Sequence, residues 1–265
     1  TVLTLPDCWS FYDGGSGYGF VGTTALATPK SFQMYTSDLL NPYILISPET
    51  QNLGNGNYRV RFNARSGTAN QKLIIGTMSN PLDASTFTPL QIIDLPTTYN
   101  AATTPYFVVY LPEGTNDYFA FKHGQVASST IYIDDVFYEE NPACAPPVGL
   151  NAQPNFANLT ANLTWQGPPN VTNNNFEIEW GETGFVQGSA DGTIVTSTTL
   201  NTTISNLVSG ESYSFYVRRM CGAENTAWVG PYTFVMNYCT PTSSNVEGTG
   251  MNDLLIDGSN DFQFS

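Results

Sequence analysis

The sequence predicts an all-β protein, a jelly-roll β-sandwich followed by a second, smaller β-sandwich. Three observations predict it. Short segments alternate apolar and polar residues with period two, and the 3.6-residue periodicity of helices is nearly absent. Clusters of Gly, Pro, Asn and Asp separate these segments. The series breaks once, at "EENPACAPP" (139–147), where adjacent prolines fix φ and cannot donate to a ladder. A chain of 265 residues is also long enough for about two domains. The boundary falls at 142–145, giving a first domain over 1–142 and a second from 145 to 238.

In order along the first domain, strands are expected at "YILIS" (43–47), "YRVRFNAR" (58–65), "KLIIGT" (72–77), "LQIID" (90–94), "YFVVYL" (106–111), "DYFAFK" (117–122) and "TIYIDDVFY" (130–138). "YRVRFNAR" is the clearest. Tyr58, Val60, Phe62 and Ala64 fall on one face and Arg59, Arg61, Asn63 and Arg65 on the other. "NLGNGN", "SNPLD" and "LPEGTND" supply turns. About eight strands over this length suit a jelly roll. The last strand raises a question. Ile131, Ile133, Asp135 and Phe137 share one face, and Tyr132, Asp134, Val136 and Tyr138 the other. An ionised carboxylate on an apolar face costs several kcal/mol unless it is paired.

The second series opens with "ANLTANLTWQGPP", carrying Trp165. "NFEIEW" (175–180) sets Phe176, Ile178 and Trp180 against Glu177 and Glu179. "TTISNLVSGESYSFYVRRMC" (202–221) places Leu207 six residues before Tyr213, and "AWVGPYTF" (227–234) closes the set. From Cys239 the chain repeats a Cys-x-Pro opening, so 239–265 reads as the start of a further, truncated module.

Composition bounds the partners. Charged residues are 11% of the chain, against roughly 25% in an average domain. The net charge is −14. Too few cations are present to displace the counterions of nucleic acid, and an anionic membrane surface is disfavoured alike. No run approaches the ~18 apolar residues of a membrane span. Thr1 is not an initiator, so the chain reads as a monomeric piece of something longer. Four cysteines occur, Cys8, Cys144, Cys221 and Cys239, with no C-x-x-C pair, and His123 is the single histidine. That spacing argues against zinc and for disulfides in an oxidising compartment, hence a secreted or cell-surface protein.

The second domain, with its Trp165, its Leu207…Tyr213 corner and its Trp-x-Gly-Pro at 228–231, resembles a fibronectin type III domain. That resemblance implies a Cys144–Cys221 disulfide, because the first strand would start at the pole that carries the loop after Cys221. In the first domain, "LPDCWSFYD" (5–13), "LNPYILISPE" (40–49) and "LPEGTNDYFAFKHGQVASSTIYIDDVFYEE" (111–140) are similar to the cleaved-adhesin and MAM-like jelly rolls of Bacteroidota surface proteins. Such proteins leave the cell by type IX secretion. This resemblance implies a structural calcium, Ca2+, near the aspartate pair, with Asp134 or Asp135 as a ligand. The family's pattern has an acidic residue on the first strand. "TVLTLP" has none, and Asp7 and Asp13 stand nearest. The alternative is that one aspartate ends the strand by accepting from nearby N–H groups while the other is solvated. Cys8 is expected as a buried, inert thiol beside Trp9.

Other motifs carry two readings each. "GYGFVG" (17–22) matches G-x-G-x-x-G but lacks a βαβ context, so it reads as a flexible surface loop. Tyr12, Tyr18 and Phe20 could stack on sugar faces or simply pack. Arg59, Arg61 and Arg65 could grip the carboxylates of an acidic glycan or pair with local acids. His123 is the only imidazole base available, at a strand end. Four Asn-x-Thr sequons, at Asn158, Asn162, Asn170 and Asn201, matter only in a eukaryotic secretory pathway. The function these features favour is a non-catalytic adhesion or binding region that contacts a glycan or a cell-surface protein, with the second domain as spacer. The alternative is a carbohydrate-binding accessory region of a larger secreted enzyme.

Overall fold

The computed structural model describes residues 5–236 other than 25, 27, 28, 101–103, 171–174 and 223. Two units divide the chain, Thr1–Val148 with Gly167–Thr172, and Gly149–Gln166 with Asn173–Ser265. The expected module at 239–265 and Cys239 lie outside the described residues.

The first unit is a sandwich of two antiparallel five-stranded sheets. One runs β1 (Ser10–Asp13), β4 (Tyr43–Ile46), β9 (Tyr118–His123), β6 (Lys72–Met78), β7 (Thr88–Asp94). The other runs β2 (Tyr18–Gly22), β3 (Ser31–Thr36), β10 (Ser129–Glu140), β5 (Tyr58–Ser66), β8 (Phe107–Tyr110). Alternation sends one residue in two inward. Phe32 and Met34 of β3, Val60, Phe62 and Ala64 of β5, and Ile131 and Ile133 of β10 meet Leu45, Leu73, Ile75 and Phe121 of the opposing sheet. Phe62 packs edge-to-face on Phe121 at 4.8 Å between ring centres. Truncating so buried a ring costs about 3–5 kcal/mol. The far side of the first sheet is covered by a second cluster, where Tyr12, Phe87 and Tyr118 pack on Ile44, Ile46, Met78 and Ala120.

The second unit pairs a three-stranded sheet with a four-stranded one. The first is β11 (Val148–Asn155), β12 (Thr160–Gln166), β15 (Asn201–Ile204). The second is β14 (Thr193–Ser197), β13 (Phe176–Glu182), β16 (Ser212–Arg219), β17 (Val229–Val235). Trp165, Phe176, Ile178, Tyr213, Phe215 and Val217 form its core. The Tyr213 hydroxyl accepts the Val208 N–H at 2.9 Å, and Leu207 beside it is buried, so the corner that the sequence marks is built.

Three expectations are corrected. "GYGFVG" is no loop: Tyr18–Gly22 is strand β2, paired with β3 from Tyr18↔Tyr35 to Gly22↔Ser31. Its glycines make room. A Cβ on Gly17 would stand 2.2 Å from the Tyr43 ring, and one on Gly19 would stand 2.7 Å from Phe11 and Phe32. β10 does not alternate throughout. Asp134 pairs with Asn63 but Phe137 pairs with Arg61, so three steps on β10 match two on β5. The extra residue is Asp135, at φ 49. A bulge of this kind inverts the facing beyond it. Val136 and Tyr138 therefore pack on the core, while Phe137 is exposed. Cys8 is an exposed free thiol rather than a buried one, because it sits at φ 65 in the turn before Trp9. In the second unit, Glu179 of β13 is buried. The 183–192 hairpin loop folds over it, and its carboxylate accepts from Gln187 Nε2 at 2.8 Å and the Gly188 N–H at 2.7 Å.

Candidate functional site

Two features of the first unit hold the candidate residues. The first is the outer face of the β2-β3-β10-β5-β8 sheet. Register fixes which side chains are neighbours there. Phe20 stands beside Gln33, Gln33 beside Tyr132, and Tyr132 beside Arg65. One row along, Tyr18 stands beside Tyr35 and Tyr35 beside Thr130. Tyr18 and Tyr35 stack at 5.0 Å, and Tyr18 touches Phe20 at 5.5 Å. The Arg65 guanidinium lies over the Tyr132 ring at 4.0 Å. Beyond the bulge, Arg61 is held between Tyr106 and Phe137, 4.2 Å from each ring centre.

The three arginines of β5 have different fates. Arg59 and Arg61 both reach Glu139, at 2.7 and 3.2 Å. Burial alone would raise the Glu139 carboxyl; hydrogen bonds from Arg61 and Arg59 outweigh it and hold the group below its ordinary value. Arg65 makes no ion pair with an acid among the described residues. Of the expected aromatic trio, Tyr18 and Phe20 lie together on this face, with Tyr18 37% exposed. Tyr12 does not join them: it is on β1 of the other sheet and packs into the second cluster.

The second feature is a recess of about 540 Å3 at the bulge, lined among others by Asp7, Trp9, Lys30, Ser31, Asp134 and Asp135. It gathers all three candidate metal ligands. Asp134 Oδ1 accepts the Asp135 N–H at 2.9 Å, and Asp135 Oδ2 accepts from Asn63 Nδ2 at 3.2 Å. Asn63 is 1% exposed although it points to the outer face, and its Oδ1 is buried with no hydrogen-bond partner among the described residues. Tyr99 lies near. Burial, then the charges of Asp135, Tyr106 and Asp134, push its phenol up. Among the described residues no three Asp, Glu, His or Cys side chains gather closely enough to hold an ion by themselves. A calcium in this recess would draw on the carboxylates that line it, Asp134 or Asp135 first and then Asp7, as hard oxygens, with water completing the shell.

His123 is fully buried. Its Nδ1 accepts the Gln125 N–H at 2.9 Å, and Nε2 faces the Ser129 carbonyl at 3.3 Å and the Ser129 hydroxyl at 3.4 Å. That hydroxyl donates to Gln71 Oε1 at 3.0 Å. Both ring nitrogens are thus engaged inside the sandwich. Cys144 and Cys221 are both disulfide-bonded. Sequence reasoning missed Tyr35, Tyr132, Asn63 and Lys30 as site residues. "SFQMYT" (31–36) carries the missing signal, with Ser31, Gln33 and Tyr35 alternating against Phe32 and Met34.

Tandem β-sandwiches, each with its own core, make this a multi-domain all-β protein. Residues 145–235 match the model of the fibronectin type III domain, and the second unit carries that domain. No curated protein matches the chain. Among solved structures, the chain is similar to the K2 cleaved adhesin domain of Lys-gingipain, at 16% identity over 52% of this chain and 92% of that one, TM-score 0.41. It is similar to the K1 cleaved adhesin domain of Lys-gingipain from Porphyromonas gingivalis, at 23% identity over 52% and 94%, TM-score 0.40. The fn3 domain of human collagen alpha-1(XX) chain aligns at 17% identity over 39% and 95%, TM-score 0.32. No helix among the described residues is long and apolar enough to cross a membrane.

Proposed function

We propose that the chain is a non-catalytic binding region of a secreted or cell-surface protein of the kind found in Bacteroidota and exported by type IX secretion. The jelly roll presents the binding surface, and the fibronectin type III domain gives length. The observation that carries this reading is the outer face of the β2-β3-β10-β5-β8 sheet, where Tyr18, Phe20, Tyr35, Tyr132 and the arginines of β5 stand together on a rigid scaffold. Aromatic and arginine side chains concentrate at recognition surfaces because they bring contact area at low entropic cost. The recess at the bulge holds a structural calcium on Asp134 or Asp135, with Asp7 at its wall. Cys144 pairs with Cys221; a non-reducing peptide map should return those two peptides as one linked species and neither cysteine as an alkylated free thiol.

The partner is a glycan or a protein of a cell surface. Labelled chain applied to intact cells should be retained, and Tyr18→Ala with Tyr35→Ala should reduce retention severalfold. Loss of retention after periodate treatment of the cells favours the second reading, a carbohydrate-binding accessory region of a larger enzyme. Loss after protease treatment alone favours protein adhesion. No retention on cells, glycans or surface-protein extracts, with calcium present, would overturn the proposal.

A further inference from the structure

We infer that the outer face of the β2-β3-β10-β5-β8 sheet takes a short oligosaccharide bearing a single carboxylate. Arg65 anchors the carboxylate, and Tyr18, Phe20 and Tyr35 form the surface on which the sugar rings lie. This rests on the first unit being a binding module.

The argument starts from charge. In a chain of net charge −14, the ion pairs among the described residues take up Arg59, Arg61, Lys72 and Arg218, and Arg65 is the arginine of β5 they leave out. Arg59 and Arg61 are neutralised by Glu139, and Arg61 is further enclosed by Tyr106 and Phe137. Arg65 is held in place by Tyr132 and, among the described residues, has no carboxylate in reach. Stacking covers one face of a guanidinium and leaves its N–H edge, the edge that pairs bidentately with a carboxylate. The side chain is already ordered on the ring, so less rotamer entropy is lost on binding.

Geometry sets the size of the ligand. The row from Phe20 through Gln33 and Tyr132 to Arg65 crosses four strands, or three spacings, about 14 Å. That is the reach of a short oligosaccharide rather than of one sugar. Tyr18 is half-exposed at the edge strand and backed by Tyr35, so an outer ring face is available where the oligosaccharide would end. Charge also sets the limit on the acid. A polyanion would meet the net negative field of the protein, whereas repulsion of one carboxylate is screened within about 8 Å at physiological salt.

The test titrates the full chain with sialyllactose and with lactose, its neutral counterpart, by calorimetry. Sialyllactose is expected to bind about tenfold or more tightly than lactose, the worth of a charge-assisted pair. Arg65→Ala should erase that difference, and Arg65→Lys, which keeps charge but loses the fork, should retain only part of it. Tyr18→Ala should weaken both sugars alike. The comparison of the two sugars on the unaltered chain needs no variant, so misfolding cannot mimic its outcome. Equal affinities, or a folded Arg65→Ala variant that keeps the preference, would overturn the inference. So would failure of both sugars to bind. If cell retention persists in any of these cases, the binding-module reading stands and only the ligand class falls; if retention is absent too, both fall.

Discussion

His123 shows how one residue can tie stability to pH. Desolvation by burial holds its imidazole below the ordinary value, against a smaller opposing pull from the Ser129 carbonyl. Nδ1 accepts the Gln125 N–H, so a proton there would set two donors against each other. Gln125 in turn holds the 38–41 loop, donating from Nε2 to the carbonyls of Asp38 and Asn41. The unfolded chain has an imidazole pKa of about 6.5, so it binds the proton more readily than the folded one. The contribution is then present in full above that value and is lost as pH falls through the lowered folded value. Urea midpoints of the first unit should drop between about pH 7 and pH 5, and His123→Gln should flatten that slope. A slope unchanged by the substitution would place the dependence elsewhere.

Among the elements, β10 is the one on which the site depends. The bulge turns Asp135 into an αL position and swaps the faces of everything after it. Deleting Asp135 would remove the extra residue and leave Val136 and Tyr138 facing the core. Inserting one alanine after Asp135 would instead turn Phe137 and Glu139 inward in their place, and chemical denaturation should show a loss beyond about 4 kcal/mol. Asp135→Val, which strains the αL backbone and removes the acceptor of Asn63 Nδ2, should cost about 2–4 kcal/mol. An insertion that costs no more than the substitution would mean the bulge is not what sets the facing.

That strand also shows what a sequence can and cannot give. The β5 alternation was legible because Val60, Phe62 and Ala64 face a core and no register shift interrupts them. "IYIDDVFY" was half legible: its paired aspartates announced an irregularity, but counting by twos cannot locate an inserted residue. β2 was hidden because Gly17 and Gly19, which yield space to Tyr43, Phe11 and Phe32, look in one dimension like a loop. Arg59, Arg61 and Arg65 read as one stripe, and only the cross-strand partner of each separates a neutralised guanidinium from an available one. The burial of Glu179 was not legible, because the loop that covers it comes later in the chain.

At the level of the whole molecule, two cores should give two responses. The proposed ion sits in the first unit alone. Calcium at a hundred times its dissociation constant would stabilise that unit by about 2.7 kcal/mol, a rise of several degrees for a domain of this size. Calorimetry in calcium and in EDTA should move one transition and leave the other where it is. Coincident traces in the two buffers would remove calcium from the account.

Trp9 is the only tryptophan before Trp165, and it lines the recess while packing edge-to-face on Phe119 at 5.7 Å. The other three indoles belong to the fibronectin type III domain. With those three replaced by phenylalanine, emission excited at wavelengths too long for tyrosine to absorb would come from a single indole on the wall of the cavity. The fold therefore carries its own optical probe, at the place where an entering ion or solvent molecule would alter the surroundings of the ring.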